Sequence, residues 1–192
     1  DQLGAKSTDV ALLQAALAFV GVDLANGLVL NATLFDRLHA EREPDGDVPA
    51  VSVLLPLWNE GVDGARATID AWAAQRGVTH ELVVGDDGST VGGAPALAAA
   101  MGLQAVGAQR WSGELHGTPV SLVRLPHAGK GATLNVLAGH ARHGVLVTVD
   151  ADTLPTPGSL RRLSAAFRKP EVDLATGVVS IANGREGWLT GN

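Results

Sequence analysis

Residues 144–157 read GVLVTVDADTLPTP, a run of apolar or β-forming residues that ends abruptly at two aspartates. The run Val145–Val149 predicts a short strand buried on both faces, as in a parallel sheet. Ligands of open α/β sheets bind outside the carboxyl ends of the strands. Asp150 and Asp152 are one residue apart, and on an extended backbone of period two their side chains can point the same way and share one cation. We therefore predict a metal site at the end of this strand.

Composition limits the classes of protein to which this chain can belong. Its 192 residues are 46% hydrophobic and 18% charged, which is enough to bury one sizeable core and predicts a single domain. The formal net charge of −6 argues against a nucleic-acid partner, since nucleic-acid binders usually present a basic face. The absence of cysteine excludes a disulfide framework and a thiolate metal site.

Strands and helices are predicted to alternate from residue 51 onwards. Besides 145–149, we predict strands at 51–55, 81–85, 120–125 and 172–181, the first of them ended by Pro56. Helices are predicted at 62–73, at 94–101, from about Gly131, and from Pro157, with Thr156 as its N-cap. Residues 102–117 show no clear period and predict a loop with one short strand at most. This alternation implies an α/β fold with a mostly parallel sheet and right-handed crossovers.

The first 40 residues are mostly apolar and leave two alternatives open. The run from Val10 to Phe35 is long enough to span a bilayer, but it is interrupted by Gln14, Asp23, Asn26 and Asn31. It forms either a membrane-spanning helix or a helix over 8–20 that packs on the soluble domain. The basic residues that follow favour a span with the next domain on the cytoplasmic side: Arg37, His39 and Arg42. Residues 41–49 predict a linker, and residues 50–192 the domain proper.

A second pair of carboxylates, Asp86 and Asp87, follows the strand that is predicted to end at Gly85. Gly88 and Ser89 then turn the chain towards the next helix. These carboxylates are expected at the same edge of the sheet as the first pair. Asp86 has a structural alternative, which is to cap the following helix.

Gly129, Lys130 and Gly131 precede another predicted helix. A helix N-terminus with glycines and a lysine suits a phosphate, because its free N–H groups and its dipole favour an anion. The segment is not a Walker loop, since Arg124 stands where that motif needs a glycine. The alternative for Lys130 is a solvated loop lysine.

Four motifs in this order resemble those of family 2 glycosyltransferases: residues 51–60 (VSVLLPLWNE), residues 81–90 (ELVVGDDGST), Gly129-Lys130 through Leu134-Asn135, and Asp150-Ala151-Asp152. The resemblance covers roughly residues 51–183. It implies the GT-A fold, a nucleotide-binding α/β sandwich. It also implies inverting transfer from a nucleotide-activated sugar, with UDP as the expected nucleotide, to a growing glycan or a lipid-linked acceptor.

The Gly-Lys…Leu-Asn form and residues 177–183 (GVVSIAN) resemble most the membrane-bound synthases of poly-N-acetylglucosamine, hyaluronan and cellulose type. This closer resemblance implies a location at the cell membrane, with the catalytic domain on the cytoplasmic side. The apolar segment at the start of the chain would then be a membrane helix.

The resemblance also implies roles for residues at matching positions. Asp150 and Asp152 would hold Mg²⁺ or Mn²⁺ against the donor diphosphate, and Asp86 or Asp87 would accept a hydrogen bond from the base. The other nucleotide-binding residues would be Trp58, Glu60 and Lys130.

The sequence departs from the family pattern at two positions of the pocket. Trp58 stands where the family often has Tyr, and Val91 where it often has Asp, so the pocket is expected to differ in shape. Trp58 has the alternative of being a core residue.

An inverting transfer needs a base to deprotonate the acceptor. In the family this carboxylate lies in a later segment, which implies a position beyond Asn192, so we expect the chain to be the donor-binding half of a larger enzyme. Residues 148–154 (TVDADTL) also resemble the first motif of haloacid-dehalogenase-type phosphatases, in which Asp150 would be a nucleophile. A non-catalytic nucleotide-sugar-binding fragment is the other alternative.

Overall fold

The computed structural model describes residues 44–177. The helix predicted over 8–20 and the alternative of a membrane span over 10–35 lie outside this range, as do residues 41–43 of the linker predicted at 41–49. Within the described range, no helix is long and apolar enough to cross a membrane.

The described residues form strands and helices that alternate along most of their length. The strands are β1 (Val51–Leu57), β2 (His80–Asp87), β3 (Gln104–Gly107), β4 (Arg110–Leu115), β5 (Thr118–Leu125) and β6 (Val145–Thr148). The helices are α1 (Val62–Ala73), α2 (Ala94–Met101), α3 (Lys130–Ala138) and α4 (Ser159–Ala166).

All of these strands belong to one sheet with the order β3-β4-β5-β2-β1-β6. β1 pairs in parallel with β2 and β6, and β2 pairs in parallel with β5. β4 pairs antiparallel with both β3 and β5. The predicted α/β class and mostly parallel sheet are therefore confirmed.

The sheet is covered by helices on both faces, as the period of two in its strands requires. On one face, the larger core joins strand residues such as Val53 and Leu55 to Ile69 of α1, Leu97 of α2 and Leu160 of α4. On the other face, α3 packs against the sheet in a smaller core of Leu54, Val83 and Leu137. Burial on both faces explains the continuous apolar runs of β1 and β2. The prediction that residues 145–149 form a strand buried on both faces is wrong, because β6 lies at the end of the sheet order among the described strands and its Leu146 is 42% exposed.

Gly85 of β2 allows α3 to lie close to the sheet. A Cβ atom at this position would come within 2.9 Å of the side chains of Thr133 and Leu137. The close approach fixes the distance between α3 and the carboxyl end of β2, which is where the candidate site lies.

The prediction for residues 102–117 is wrong, because they form a hairpin of two strands, β3 and β4, rather than a loop. All β3 residues and half of the β4 residues are exposed, and no residue of the two strands is fully buried, so the sequence there shows no clear hydrophobic period. The turn between β4 and β5 has positive φ at both His116 (52°) and Gly117 (82°), the backbone of a tight hairpin turn.

Pro56 does not end β1 as predicted, since the strand continues to Leu57. β6 pairs with β1 only as far as Leu54, whose carbonyl accepts a hydrogen bond from the N–H of Val149 at 3.1 Å. The backbone of Pro56 also faces towards β6, but it lies two residues beyond Leu54, where β6 has already ended. No ladder hydrogen bond is lost there, so the missing N–H of Pro56 is tolerated.

The last helix starts two residues later than predicted, at Ser159 with Gly158 as its N-cap. Thr156 and Pro157 instead begin a turn that is closed by a 3.1 Å hydrogen bond from the N–H of Ser159 to the carbonyl of Thr156. Gly158 has φ 73° and ψ 0°, which with Pro157 before it defines a type II turn. Of the strand predicted at 172–181, residues 172–177 are not a strand, and the rest lies outside the described residues.

Candidate functional site

The Asp-x-Asp segment forms a turn directly after β6. The N–H of Thr153 donates to the carbonyl of Asp150 at 3.1 Å, which closes a four-residue turn. The prediction that an extended backbone places the two carboxylates side by side is therefore wrong. Asp150 and Asp152 occupy the first and third positions of this turn, and both side chains still face the same cleft.

Two side chains of α1 bind the backbone of this turn. The hydroxyl of Thr68 donates to the carbonyl of Ala151 at 2.5 Å, and the indole Nε1–H of Trp72 donates to the carbonyl of Thr153 at 2.8 Å. Thr68 and Trp72 are buried and lie one helical turn apart, so they share a face of α1. The sequence predicted the helix that carries both residues but neither of these hydrogen bonds.

Asp87 joins the end of β2 to the start of α3. Its carboxylate accepts hydrogen bonds from the N–H groups of Ala128 at 2.8 Å and Gly129 at 2.9 Å, and His127 Nδ1 lies 2.9 Å from Oδ2. Burial opposes the ionisation of Asp87, but these donors outweigh it, and the pKa of its carboxyl group is lowered. Asp87 thereby holds the N-terminus of α3 at the edge of the cleft.

Asp86 accepts hydrogen bonds from the backbone of the segment that follows it. Its Oδ1 accepts from the N–H of Ser89 at 2.9 Å, and its Oδ2 accepts from the N–H of Ala94, the first residue of α2, at 2.7 Å. The side chain is fully buried and is not part of the cleft wall. The capping alternative for Asp86 is thus what the structure contains, and a role for it in base recognition stays a prediction.

Trp58 forms an aromatic wall with His127. Their ring centroids are 4.9 Å apart at an interplanar angle of 20°, which is a stacked arrangement. Trp58 is 54% exposed, so the alternative of a core residue is wrong. His127 was missed by the sequence prediction, although it stands only two residues before Gly129 in the motif that was singled out.

Lys130 is the first residue of α3, and its ammonium group forms an ion pair with Oδ1 of Asp150. Lys130 therefore belongs to a helix rather than to a loop, and it has a carboxylate partner. Both side chains remain more than half exposed, so the pair sits in water-accessible space.

A cleft of about 360 Å³ lies at the carboxyl ends of β1, β2 and β6. Its walls contain all of the predicted site residues except Asp86, namely Trp58, Glu60, Asp87, Lys130, Asp150 and Asp152. His127, Gly129 and Ala151 complete the same wall. Residues from four separate segments of the chain therefore converge on one cavity.

The acidic end of the cleft supplies some of the ligands that a hard divalent cation needs. Asp150 and Asp152 supply carboxylate oxygens, the ligands that Mg²⁺ and Mn²⁺ accept. Among residues 44–177, no group of three or more acidic or histidine side chains is placed to hold a metal ion. Two carboxylates suit a cation whose other ligands are water and substrate phosphates, as is usual for Mg²⁺.

Two of the solved structures that are similar to this chain illustrate the fold. The mannosyltransferase PcManGT from Pyrobaculum calidifontis, in complex with GDP-Man and Mn²⁺, is 23% identical over 85% of this chain and 44% of its own length, with a TM-score of 0.55. A structure of residues 1–349 of TarS from S. aureus is 21% identical over 62% of this chain and 32% of its own length, with a TM-score of 0.45. This chain thus spans less than half of the length of either protein. No curated protein sequence matches the chain significantly.

The similarity to the mannosyltransferase supports the predicted GT-A fold. Residues 52–191 match the family model described as glycosyl transferase family 2, which is most of the chain. The match includes every motif quoted from the sequence and all of the residues in the cleft wall. The chain belongs to glycosyl transferase family 2.

Proposed function

We propose that the cleft binds the nucleotide and diphosphate of a UDP-sugar together with Mg²⁺ or Mn²⁺. In this proposal the chain supplies the donor site of an inverting glycosyltransferase whose acceptor is a growing glycan or a lipid-linked sugar. The observation that carries it is the convergence of Trp58, Glu60, Asp87, Lys130, Asp150 and Asp152 on one cleft. Family membership supports sugar transfer over the phosphatase alternative, in which Asp150 would be a nucleophile.

The acidic end of the cleft is assigned to the diphosphate. Asp150 and Asp152 would hold the cation, which, when bound, offsets the negative charge that develops on the leaving diphosphate. The ammonium group of Lys130 contacts Asp150, so it would lie within reach of the phosphate oxygens that the cation binds. A lysine at a helix N-terminus is well suited to bind phosphate, since the N–H groups of the first turn add to its charge. The presence of Mn²⁺ beside GDP-Man in the mannosyltransferase of similar fold supports this assignment.

The aromatic end of the cleft is assigned to the base. The exposed ring of Trp58, stacked on His127, offers an apolar surface for the base. Asp87 lies in the wall beside them, and its oxygens already accept backbone N–H groups. A carboxylate oxygen has two lone pairs, so Asp87 can accept one further hydrogen bond from the N–H of uracil.

We also propose that the chain is the donor-binding part of a longer, membrane-bound synthase of the poly-N-acetylglucosamine, hyaluronan or cellulose type. The motif forms at Gly129-Lys130 and at residues 177–183 support this assignment. The catalytic base would then come from a segment that follows Asn192. The catalytic domain would lie on the cytoplasmic side of the cell membrane, where nucleotide sugars are the donors.

The proposal is tested by calorimetric titration of the 192-residue chain with UDP and with GDP, each in Mn²⁺ and in EDTA. We expect UDP to bind more tightly than GDP, and we expect Mn²⁺ to strengthen UDP binding. Asp152→Asn should remove most of the Mn²⁺-dependent gain, whereas Glu114→Gln, an exposed carboxylate on β4 outside the cleft, should keep it. Equal UDP affinity in Mn²⁺ and EDTA, in a folded sample, would contradict the metal role. Tighter binding of GDP would contradict the choice of nucleotide.

A further inference from the structure

We infer that Thr68 and Trp72 of α1 are positioning residues for the metal site. They bind the backbone of the Asp150–Thr153 turn and thereby set the direction in which its two carboxylates point. The inference rests on the proposed function, because it concerns the same site, and it adds two residues that carry no charge and do not line the cleft.

The hydrogen bonds fix the peptide groups on both sides of Asp152. Thr68 holds the peptide between Ala151 and Asp152 through the Ala151 carbonyl, at 2.5 Å. The next peptide is held through its N–H, which Thr153 donates to the carbonyl of Asp150 at 3.1 Å. Trp72 then holds the carbonyl of Thr153 at 2.8 Å. With three successive peptides fixed, the Cα–Cβ bond of Asp152 has one direction, and that direction is into the cleft.

The donors on α1 are rigid and protected from water. Thr68 is 3% exposed and Trp72 is 6% exposed, so neither can exchange its carbonyl partner for solvent without moving the helix. Trp72 also belongs to the main core, together with Ile69 and Leu160. The turn that carries the carboxylates is thus attached to a helix of the larger core rather than to another loop.

This attachment matters because a two-carboxylate site has little redundancy. A cation held by Asp150 and Asp152 alone, apart from water and phosphate, depends on the placement of each oxygen. Groups that orient metal ligands without touching the metal typically contribute about 10- to 100-fold in metal affinity. Thr68 and Trp72 act one step further back, on the backbone that carries the ligands.

The test measures how much Mn²⁺ strengthens UDP binding to variants of the 192-residue chain, by calorimetry in Mn²⁺ and in EDTA. Thr68→Val removes the hydroxyl at nearly constant volume, Thr68→Ser restores it, and Trp72→Phe keeps an aromatic ring without the N–H donor. Thr118→Val is the matched control, since Thr118 is a buried residue whose hydroxyl donates to a carbonyl of the same helix, that of Ala73 at 2.8 Å, away from the turn.

We expect Thr68→Val and Trp72→Phe to lower the Mn²⁺-dependent gain in UDP affinity by about tenfold, with UDP affinity in EDTA unchanged. Thr68→Ser and Thr118→Val should keep the gain of the wild type. The inference is overturned if Thr68→Val keeps the full gain, if Thr118→Val loses as much, or if UDP affinity in EDTA falls equally. If Trp72→Phe does not fold, the comparison of Val with Ser at position 68 decides the matter. A wild-type chain without any Mn²⁺-dependent gain would overturn the proposed metal role together with this inference, whereas a gain kept by the variants overturns this inference alone.

Discussion

Two ion pairs lie at opposite ends of the sheet, and they differ in what surrounds the carboxylate. At the amino ends of the strands, Glu81 pairs with Arg142, whose Nε lies 2.5 Å from Oε2. At the carboxyl ends, Asp150 pairs with Lys130. The side chain of Glu81 is 4% exposed and that of Asp150 is 57% exposed.

The carboxylate of Glu81 accepts three hydrogen bonds from the protein itself. Besides the Arg142 guanidinium, it accepts the hydroxyl of Ser52 at 2.6 Å and the backbone N–H of Arg142 at 2.7 Å. Burial opposes the ionisation of Glu81, but these donors outweigh it and lower the pKa of its carboxyl group. These contacts tie the amino end of β2 to the segment that follows α3.

Within residues 44–177, Asp150 accepts a side-chain hydrogen bond only from Lys130, and its second carboxylate oxygen has no donor. The two ends of the sheet thus show that acidity alone does not mark a site. The buried carboxylate of Glu81 serves the fold, whereas the exposed carboxylate of Asp150 keeps an oxygen that can bind a ligand.

The largest expected difference between the two ends is in stability. Glu81→Ala leaves the Ser52 hydroxyl and the Arg142 N–H without a buried acceptor, so we expect the free energy of unfolding to fall by about 2–3 kcal/mol. Asp150→Ala removes only a partner of an exposed pair and should change it by less than about 0.5 kcal/mol. Urea unfolding of both variants measures this difference. Similar losses at the two positions would contradict the division into a structural end and a binding end.

The pH dependence of stability should report the buried carboxylates. Glu81 and Asp87 have pKa values below their ordinary values of 4.5 and 3.8. As the pH falls, the unfolded chain therefore binds protons at a higher pH than the folded chain does. The stability that these two carboxylates contribute is present at neutral pH and is lost as the pH falls through their lowered pKa values in the folded protein.

We expect the urea midpoint to fall as the pH is lowered from 6 to about 3.5. Glu81→Gln should be less stable at pH 6 and should lose less on acidification than the wild type, because one of the two groups no longer titrates. The same loss in both proteins would mean that Glu81 does not contribute to the pH dependence.

The smallest expected effect is the loss of the two cations. Arg142→Met leaves Glu81 its hydrogen bonds from Ser52 and from the backbone, so we expect a loss of about 1 kcal/mol. Lys130→Met should change stability by less than about 0.5 kcal/mol, because its pair is exposed. Thermal unfolding at low and high salt measures both. A larger loss at Lys130 than at Arg142 would reverse the comparison.

The strands that could be predicted from the sequence are those with apolar runs. β1 and β2 are buried along nearly their whole length, and β5 and β6 carry shorter apolar stretches, whereas β3 and β4 are largely exposed and show no such pattern. The parallel part of the sheet could therefore be predicted, and the exposed hairpin of β3 and β4 could not.

The cleft could be predicted because the carboxyl ends of parallel strands meet at one edge. The different uses of Asp86 and Asp87 could not, because neighbouring residues on a strand face opposite sides and either one could have faced the cleft. The roles of Thr68 and Trp72 could not be predicted for another reason. Their partners are backbone carbonyls more than 80 residues away in the sequence, and a backbone carbonyl is present at every residue whatever its side chain.

Strand β2 holds α3 at both ends, and this has a consequence for how the protein can vary. Asp87 fixes the backbone before the helix at Ala128 and Gly129, and Glu81 fixes the backbone after it at Arg142. One inserted residue would rotate the following part of α3 by about 100°, so one of the two attachments would be lost or Lys130 would leave the cleft. Between residues 128 and 142, chain length is constrained as strictly as side-chain chemistry, and insertions should be tolerated in the exposed β3–β4 hairpin instead.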